Sequence, residues 1–233
     1  MINRSFILAI LAIANIRVSG QFLPDLQAKT PEEYDAYLDV LDGPLPEKGV
    51  FFERTYPKSA LLLPVYALMA REWRSQGDAE RATEYARKAL AISSDYAPML
   101  TELADLLANR GVNLDEALKA GRRALTILEE IRAPRRVPAA DWTAAVAKLR
   151  ASAHGAIGLT LFRKDDIPGA IAEFEKAIAV QPATPEPMIH YRLGRLYVVS
   201  GRKAEGRKHL EEAARQGDEV LRERAQQALA AID

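Results

Sequence analysis

At 233 residues, 48% hydrophobic and 27% charged, the chain can bury one sizeable domain or a short solenoid, and its composition excludes intrinsic disorder. Its 32 basic and 32 acidic residues leave no field of one sign, which argues against nucleic acid as a partner. With no cysteine there is no disulfide, thiolate metal site or cysteine nucleophile.

Positions 1–20 stand apart from the rest. Arg4 lies near the start, no acidic residue precedes Asp25, and the apolar run from Phe6 to Ile16 is interrupted only by Asn15. That run falls well short of the roughly 20 residues that a membrane-spanning helix needs. Val18-Ser19-Gly20 then supplies the small residues that a signal peptidase reads, so 1–20 is expected to be a signal peptide, with Gln21 the mature N-terminus. Ala12-Ile13-Ala14 also fits the cleavage rule but would halve the apolar core; the other reading is an uncleaved amphipathic or buried helix. Removal of Arg4 and Arg17 from the 32 basic residues leaves two fewer basic than acidic side chains, so the mature chain is slightly acidic. No later apolar run is long enough to cross a membrane, so the expected location is soluble, periplasmic or secreted.

The segment 21–58 reads as a degenerate helical pair. Thr30-Pro31-Glu32-Glu33 is a capping box, with Thr30 as N-cap, Pro31 at the first helical position and Glu33 reaching back. An interval of about 34 residues separates Ala36 from Ala70 and Phe52 from Ala86, and it recurs along the chain. Tyr56-Pro57-Lys58-Ser59 closes the pair. In the first clear unit Ala70 and Trp73 fall on one helix and Ala82, Ala86 and Ala89 on the next. Ala104 follows Ala70 at the same interval, flanked by Leu103 and Leu107. One inserted residue, in the turn Arg110-Gly111-Val112-Asn113, brings Ala117, Gly121 and Ala124 into line.

From Ala104 to Gly158 the spacing exceeds that interval by about 20 residues. The surplus covers roughly 130–149. Pro134 and Pro138 bracket Arg135 and Arg136, and a helix beginning near Ala139 is expected to run unbroken through Trp142, Val146 and Leu149 into the third unit, projecting from the array. It is either a binding insertion or a plain extended helix packed on a neighbour. The third unit, His154 to Pro182, carries Gly158, Leu161, Ala170, Phe174 and Ala177. A fourth unit repeats it with Gly194, Tyr197, Gly206, Leu210 and Ala213. Leu221, Ala225, Ala228 and Leu229 then mark a final helix over 218–233 that would cap the array.

This spacing resembles the tetratricopeptide repeat (TPR), a helix–turn–helix unit of about 34 residues with small and aromatic positions on its first helix, alanine, a large apolar residue and alanine on its second, and proline at the exit. The resemblance covers 60–216 well, and the Tyr-Pro-x-Ser exit is similar to TPR proteins of the bacterial envelope. It implies an all-α, right-handed α-solenoid: four TPR-like units over 59–217, a capping helix, and a concave groove lined by the first helices. Carried over by register, the groove positions are Ala67, Arg71 and Arg74, then Thr101, Asp105 and Ala108, then Leu159 and Phe162, then Tyr191, Arg195 and Val198. Of these, Arg71, Arg74, Thr101, Asp105, Leu159, Phe162, Tyr191 and Arg195 are the candidate partner-binding residues, suited to a peptide or helix with apolar and acidic positions. The alternative is that Leu159 and Phe162 pack under the insertion helix. The carboxylate clamp of chaperone-binding TPR domains is not matched: its positions carry Ala67, Arg71, Glu102, Ser152 and Ala156.

Chemistry is harder to find. His154 and His190 stand four positions before the glycine of their units, in a packed register position, and His209 beside Leu210 is expected to be exposed. Glu32-Glu33, Asp165-Asp166 and Glu211-Glu212 are adjacent on a helix and diverge, and Asp165-Asp166 reads as turn and N-cap. No nucleophile elbow, phosphate loop, zinc motif or dinucleotide fingerprint occurs. The expectation is an exported scaffold for another protein, with no catalytic, metal or cofactor residues; the alternative is a glycan- or small-ligand-binding protein using Trp142, Phe162 and Tyr191.

Overall fold

A computed structural model describes residues 26–133, 137–181 and 185–232. The expected signal peptide, Pro134, Arg135, Arg136 and Pro182 lie outside the described residues. Among the described residues there are eleven α-helices and no strand. In chain order they are α1 (Pro31–Asp42), α2 (Leu45–Thr55), α3 (Leu62–Ser75), α4 (Ala79–Ile92), α5 (Ala97–Arg110), α6 (Leu114–Glu130), α7 (Ala139–Arg163), α8 (Ile167–Val180), α9 (Pro187–Val199), α10 (Lys203–Gln216) and α11 (Glu219–Ala230).

The helix ends follow from local chemistry. Thr30 Oγ1 accepts from the Glu33 amide at 3.2 Å, and Glu33 reaches back to the amide of Lys29, one residue beyond the cap itself. Asp78, Asp166 and Asp218 cap α4, α8 and α11 by accepting from the amides of Arg81, Gly169 and Leu221, each at 2.9 Å. Such a carboxylate satisfies an orphan donor and faces the positive end of the helix dipole. The turn between α5 and α6 carries the inserted residue through two left-handed positions, Gly111 at φ 69° and Asn113 at φ 49°; both residue types tolerate that region.

Helices α3/α4, α5/α6, α7/α8 and α9/α10 form hairpins, and each hairpin packs on the next, giving an α-solenoid. The interior of each unit is built at the spaced positions. Ala70, Ala82, Ala86, Ala89, Ala104, Ala117, Ala124, Ala170, Leu210 and Ala213 are completely buried, and Phe174 and Ala177 nearly so. The helical glycines allow close approach. A Cβ on Gly158 would meet the Phe174 ring at 3.0 Å, and one on Gly194 would meet Leu210 at 2.8 Å and the Gly206 carbonyl at 3.0 Å. Phe174 thus occupies the volume that Gly158 gives up, contributing about 2–3 kcal/mol by burial.

Helix α7 has 25 residues, and its apolar side chains are spread around the whole circumference rather than along one stripe. It packs against both α5 and α6, and its early residues Trp142 (7% exposed) and Ala145 are buried. The insertion helix therefore does not project. A helix with apolar residues on several sides needs more than one neighbour to cover it, so it lies against the second unit. It also ties the molecule together. Ala153 and Ala156 belong to the core shared by α1 to α6, whereas Leu159 belongs to the core built from α8 and α9. Behind Gly217, α11 covers α10 with Leu221 and Ala225.

Candidate partner-binding face

The first helices α3, α5, α7 and α9 carry equivalent positions counted from Ala70, Ala104, Gly158 and Gly194. The position four further on holds Arg74, Ala108, Phe162 and Val198; on the next first helix Arg74 meets the positions two before and one after, Glu102 and Asp105, and Ala108 shares a core with the position one after, Leu159. Three seams result, and each has different chemistry.

At the first seam Arg74 donates from Nη1 to Glu102 Oε1 at 2.8 Å and from Nη2 to Asp105 Oδ2 at 2.6 Å. Asp105 Oδ1 accepts from Asn109 Nδ2 at 2.9 Å. At the second seam Ala108 and Leu159 share one core, buried to 0% and 6% exposure. At the third seam Phe162 remains 42% exposed, and the positions across from it carry Arg192 and Arg195.

The polar run continues beyond Asp105. Asn109 Oδ1 accepts from Arg192 Nη2 at 3.0 Å, and the Asn109 carbonyl accepts from Arg163 Nη2 at 3.3 Å. Arg195 is exposed, its guanidinium 5.8 Å from the centre of the Tyr191 ring. Among the described residues no carboxylate is ion-paired with Arg163, Arg192 or Arg195. Burial pulls the Arg192 pKa down from its ordinary value; Arg163 and Arg74 add to the fall, while Asp105 and Glu186 oppose it.

The sequence-expected residues divide accordingly. Arg74 and Asp105 meet across the first seam; Phe162 and Arg195 are exposed at the third, and Tyr191 is half-buried beside them. Arg71 is half-buried. Thr101 and Leu159 are corrections: at 5% and 6% exposure neither offers a side chain to a partner. The cause is α7, which packs directly on α5 and covers the positions between them. Glu102, Asn109, Arg163 and Arg192 were not among the expected set. The signal for them is complementarity between one unit and the next, Arg74 against Glu102 for example, which a single-unit register does not reveal.

The aromatic ligand site does not form. Trp142 is buried, and about 20 residues of one helix, roughly 30 Å, separate it from Phe162. Two shallow hollows, of about 370 and 690 Å³, lie over Met188 and Leu221 and over Thr83 and Arg110, away from those aromatics.

The histidines are packing residues. His154 Nδ1 lies 2.7 Å from Glu173 Oε2, and His190 Nδ1 lies 2.8 Å from His209 Nδ1 with the rings stacked. Each pair joins the first and second helices of its unit at the same spacing, which Tyr66 and Tyr85 also occupy in the first unit, with ring centres 5.9 Å apart. His209 is therefore half-buried rather than exposed. Burial, then the His190 and Lys208 charges, bring its pKa down to about 4. Among the described residues no group of three His, Asp or Glu side chains is placed to hold a metal ion.

No protein-family profile matches the chain, and no curated protein sequence does. Solved structures match with confidence. The hetero-tetramer Cut9–Hcn1 of the APC/C superposes with a TM-score of 0.60 at 15% identity, over 84% of this chain and 35% of that one; the present chain thus spans about a third of its length. PilW, a widely conserved type IV pilus biogenesis factor, gives 0.58 at 15% identity, over 79% and 77% of the two chains. PilF of Pseudomonas aeruginosa gives 0.55 at 17% identity, over 86% and 89%. At these identities the likeness is one of fold: the chain is an all-α solenoid that resembles TPR proteins.

Proposed function

We propose that this chain is a scaffold that holds another protein along its concave face, and that it acts in the bacterial cell envelope. The observation that carries the reading is the third seam: an exposed Phe162, followed by Arg163, with Arg192 and Arg195 at the matching register positions of the next first helix. Exposed aromatic and arginine side chains on a rigid groove are what protein interfaces favour. Envelope location rests on the charged, apolar and small-residue pattern of 1–20. No helix among the described residues is long and apolar enough to cross a membrane. The titratable side chains of the face are engaged in seam contacts or point outward, and the reading assigns no reaction to them.

Affinity capture from the native host tests this, with wild type beside Arg71→Glu/Arg195→Glu. The expected outcome is a partner protein held by wild type and lost by the variant, on bait whose intact mass starts at Gln21. Equal capture by both would remove the face from the account. A retained Met1 would remove the envelope.

A further inference from the structure

We propose that Arg163, Arg192 and Arg195 form an anchoring site for acidic side chains of the partner, an Asp or Glu set beside an apolar residue that packs on Phe162. This deepens the scaffold reading and rests on it. The argument is one of charge left over. Arg74 at the first seam is matched by two carboxylates, Glu102 at 2.8 Å and Asp105 at 2.6 Å. Asp105 is hydrogen-bonded to both Arg74 and Asn109, and it acts on Arg192 only as a charge through space, without an ion pair.

Arg163 and Arg192 are instead held by neutral oxygens of one residue, the carbonyl and side-chain oxygens of Asn109. Arg192 is half-buried, and Arg195 lies one turn further along the same face of α9. A guanidinium carries five donors in a fixed planar fork, and the contacts to Asn109 use one nitrogen of each. Asp105 and Glu186 oppose the fall in the Arg192 pKa through space, and neither is ion-paired with it. Arg163 and Arg192 thus converge on Asn109, and Arg195 stands exposed one helical turn from Arg192, so that a carboxylate there would form charge-assisted, bidentate bonds.

Phe162 sets the rest of the recognition. It precedes Arg163 on the last turn of α7 and is exposed, although its equivalent at the second seam, Ala108, is fully buried. An aromatic ring bordered by arginines suits a segment with an apolar residue next to an acid. The site lies at the last seam between first helices, and the proposal is for side-chain carboxylates of a chain that runs on from it toward Arg74.

The test is fluorescence-polarisation binding of the full chain to positional peptide sublibraries, each made with amidated and with free C-termini, in which one position is fixed as Asp/Glu, Asn/Gln or phosphoserine. The Asp/Glu set should bind roughly tenfold tighter than the Asn/Gln set, with the gap closing at high salt. Arg192→Gln should abolish that preference. Because this variant also loses the contact to the Asn109 side chain, Arg163→Gln/Arg195→Gln, which keeps that contact and gives up the one to the Asn109 carbonyl, is measured beside it and should narrow the preference with helix content unchanged. Equal binding of acid and amide sets that is lost in Phe162→Ala would overturn the acidic anchor and leave the scaffold reading standing. No binding of any set would overturn both. Preference for phosphoserine over Asp/Glu, or for free over amidated C-termini, would overturn the side-chain carboxylate.

Discussion

The first and third seams occupy equivalent places in the repeat and have opposite character. Where α3 meets α5, a guanidinium is matched by two carboxylates and the seam is closed. Where α7 meets α9, the equivalent positions hold Phe162, Arg192 and Arg195, an aromatic ring and two cations with which no carboxylate among the described residues is ion-paired. Within the units the close approach of the helices is kept: Gly158 against Phe174 and Gly194 against Leu210 are the same contact twice. The interior of a repeat is bound by the distance between its helices, whereas a seam position must only be compatible with its neighbour. Difference in a solenoid therefore collects at the seams, and there it can be used for recognition.

The largest effects should come from interiors and be alike in both late units. Phe174→Ala and Leu210→Ala should each cost about 3–4 kcal/mol in urea unfolding. A loss below about 1 kcal/mol at either would break the equivalence of the interiors on which the seam comparison depends.

A smaller effect separates the third unit from the fourth. His154 faces a carboxylate, but His190 faces His209. Both His190 and His209 have pKa values pulled down chiefly by burial, His209 to about 4. Around them stand Lys208, Glu175, Glu212 and Arg215; the two acids only partly offset the fall. The unfolded chain then binds more protons, so stability is fully present above pH 6.5 and is lost as pH falls toward 4. The loss should be on the order of 2 kcal/mol after solvent screening. Thermal unfolding between about pH 7 and about pH 4 checks it, and His209→Gln should flatten the slope.

At the seams the effects on stability are smaller still. Arg74→Gln should cost roughly 1 kcal/mol, since it leaves Glu102 and Asp105 facing one another in a half-exposed network. Arg195→Gln should leave Tm within about 2 °C of wild type, because its side chain is exposed and holds no carboxylate.

The interior was legible in the sequence because the spacing that buries Ala70, Ala104, Ala170 and Phe174 depends on the helix period and the unit length alone. The capping residues Thr30 and Asp166 were legible for a similar local reason. The face was not. Thr101 and Leu159 look solvent-facing until α7 is laid on α5. Arg192 acquires meaning only through Asn109, 83 residues earlier in the chain. His209 illustrates the same limit, since its burial follows from the stacking of a second histidine on the neighbouring helix.

The central claim, that one seam holds the solenoid and the other holds a partner, is tested most directly by a crossed measurement. Arg74→Gln and Arg163→Gln/Arg195→Gln are prepared side by side, and Tm and affinity for the Asp/Glu peptide pool are read on the same samples. The account predicts that the first variant loses Tm and keeps its affinity within about twofold, while the second keeps its Tm and loses roughly three- to fivefold in affinity. Equal loss of affinity in both would contradict it, making the face of the first helices a single undivided charge field.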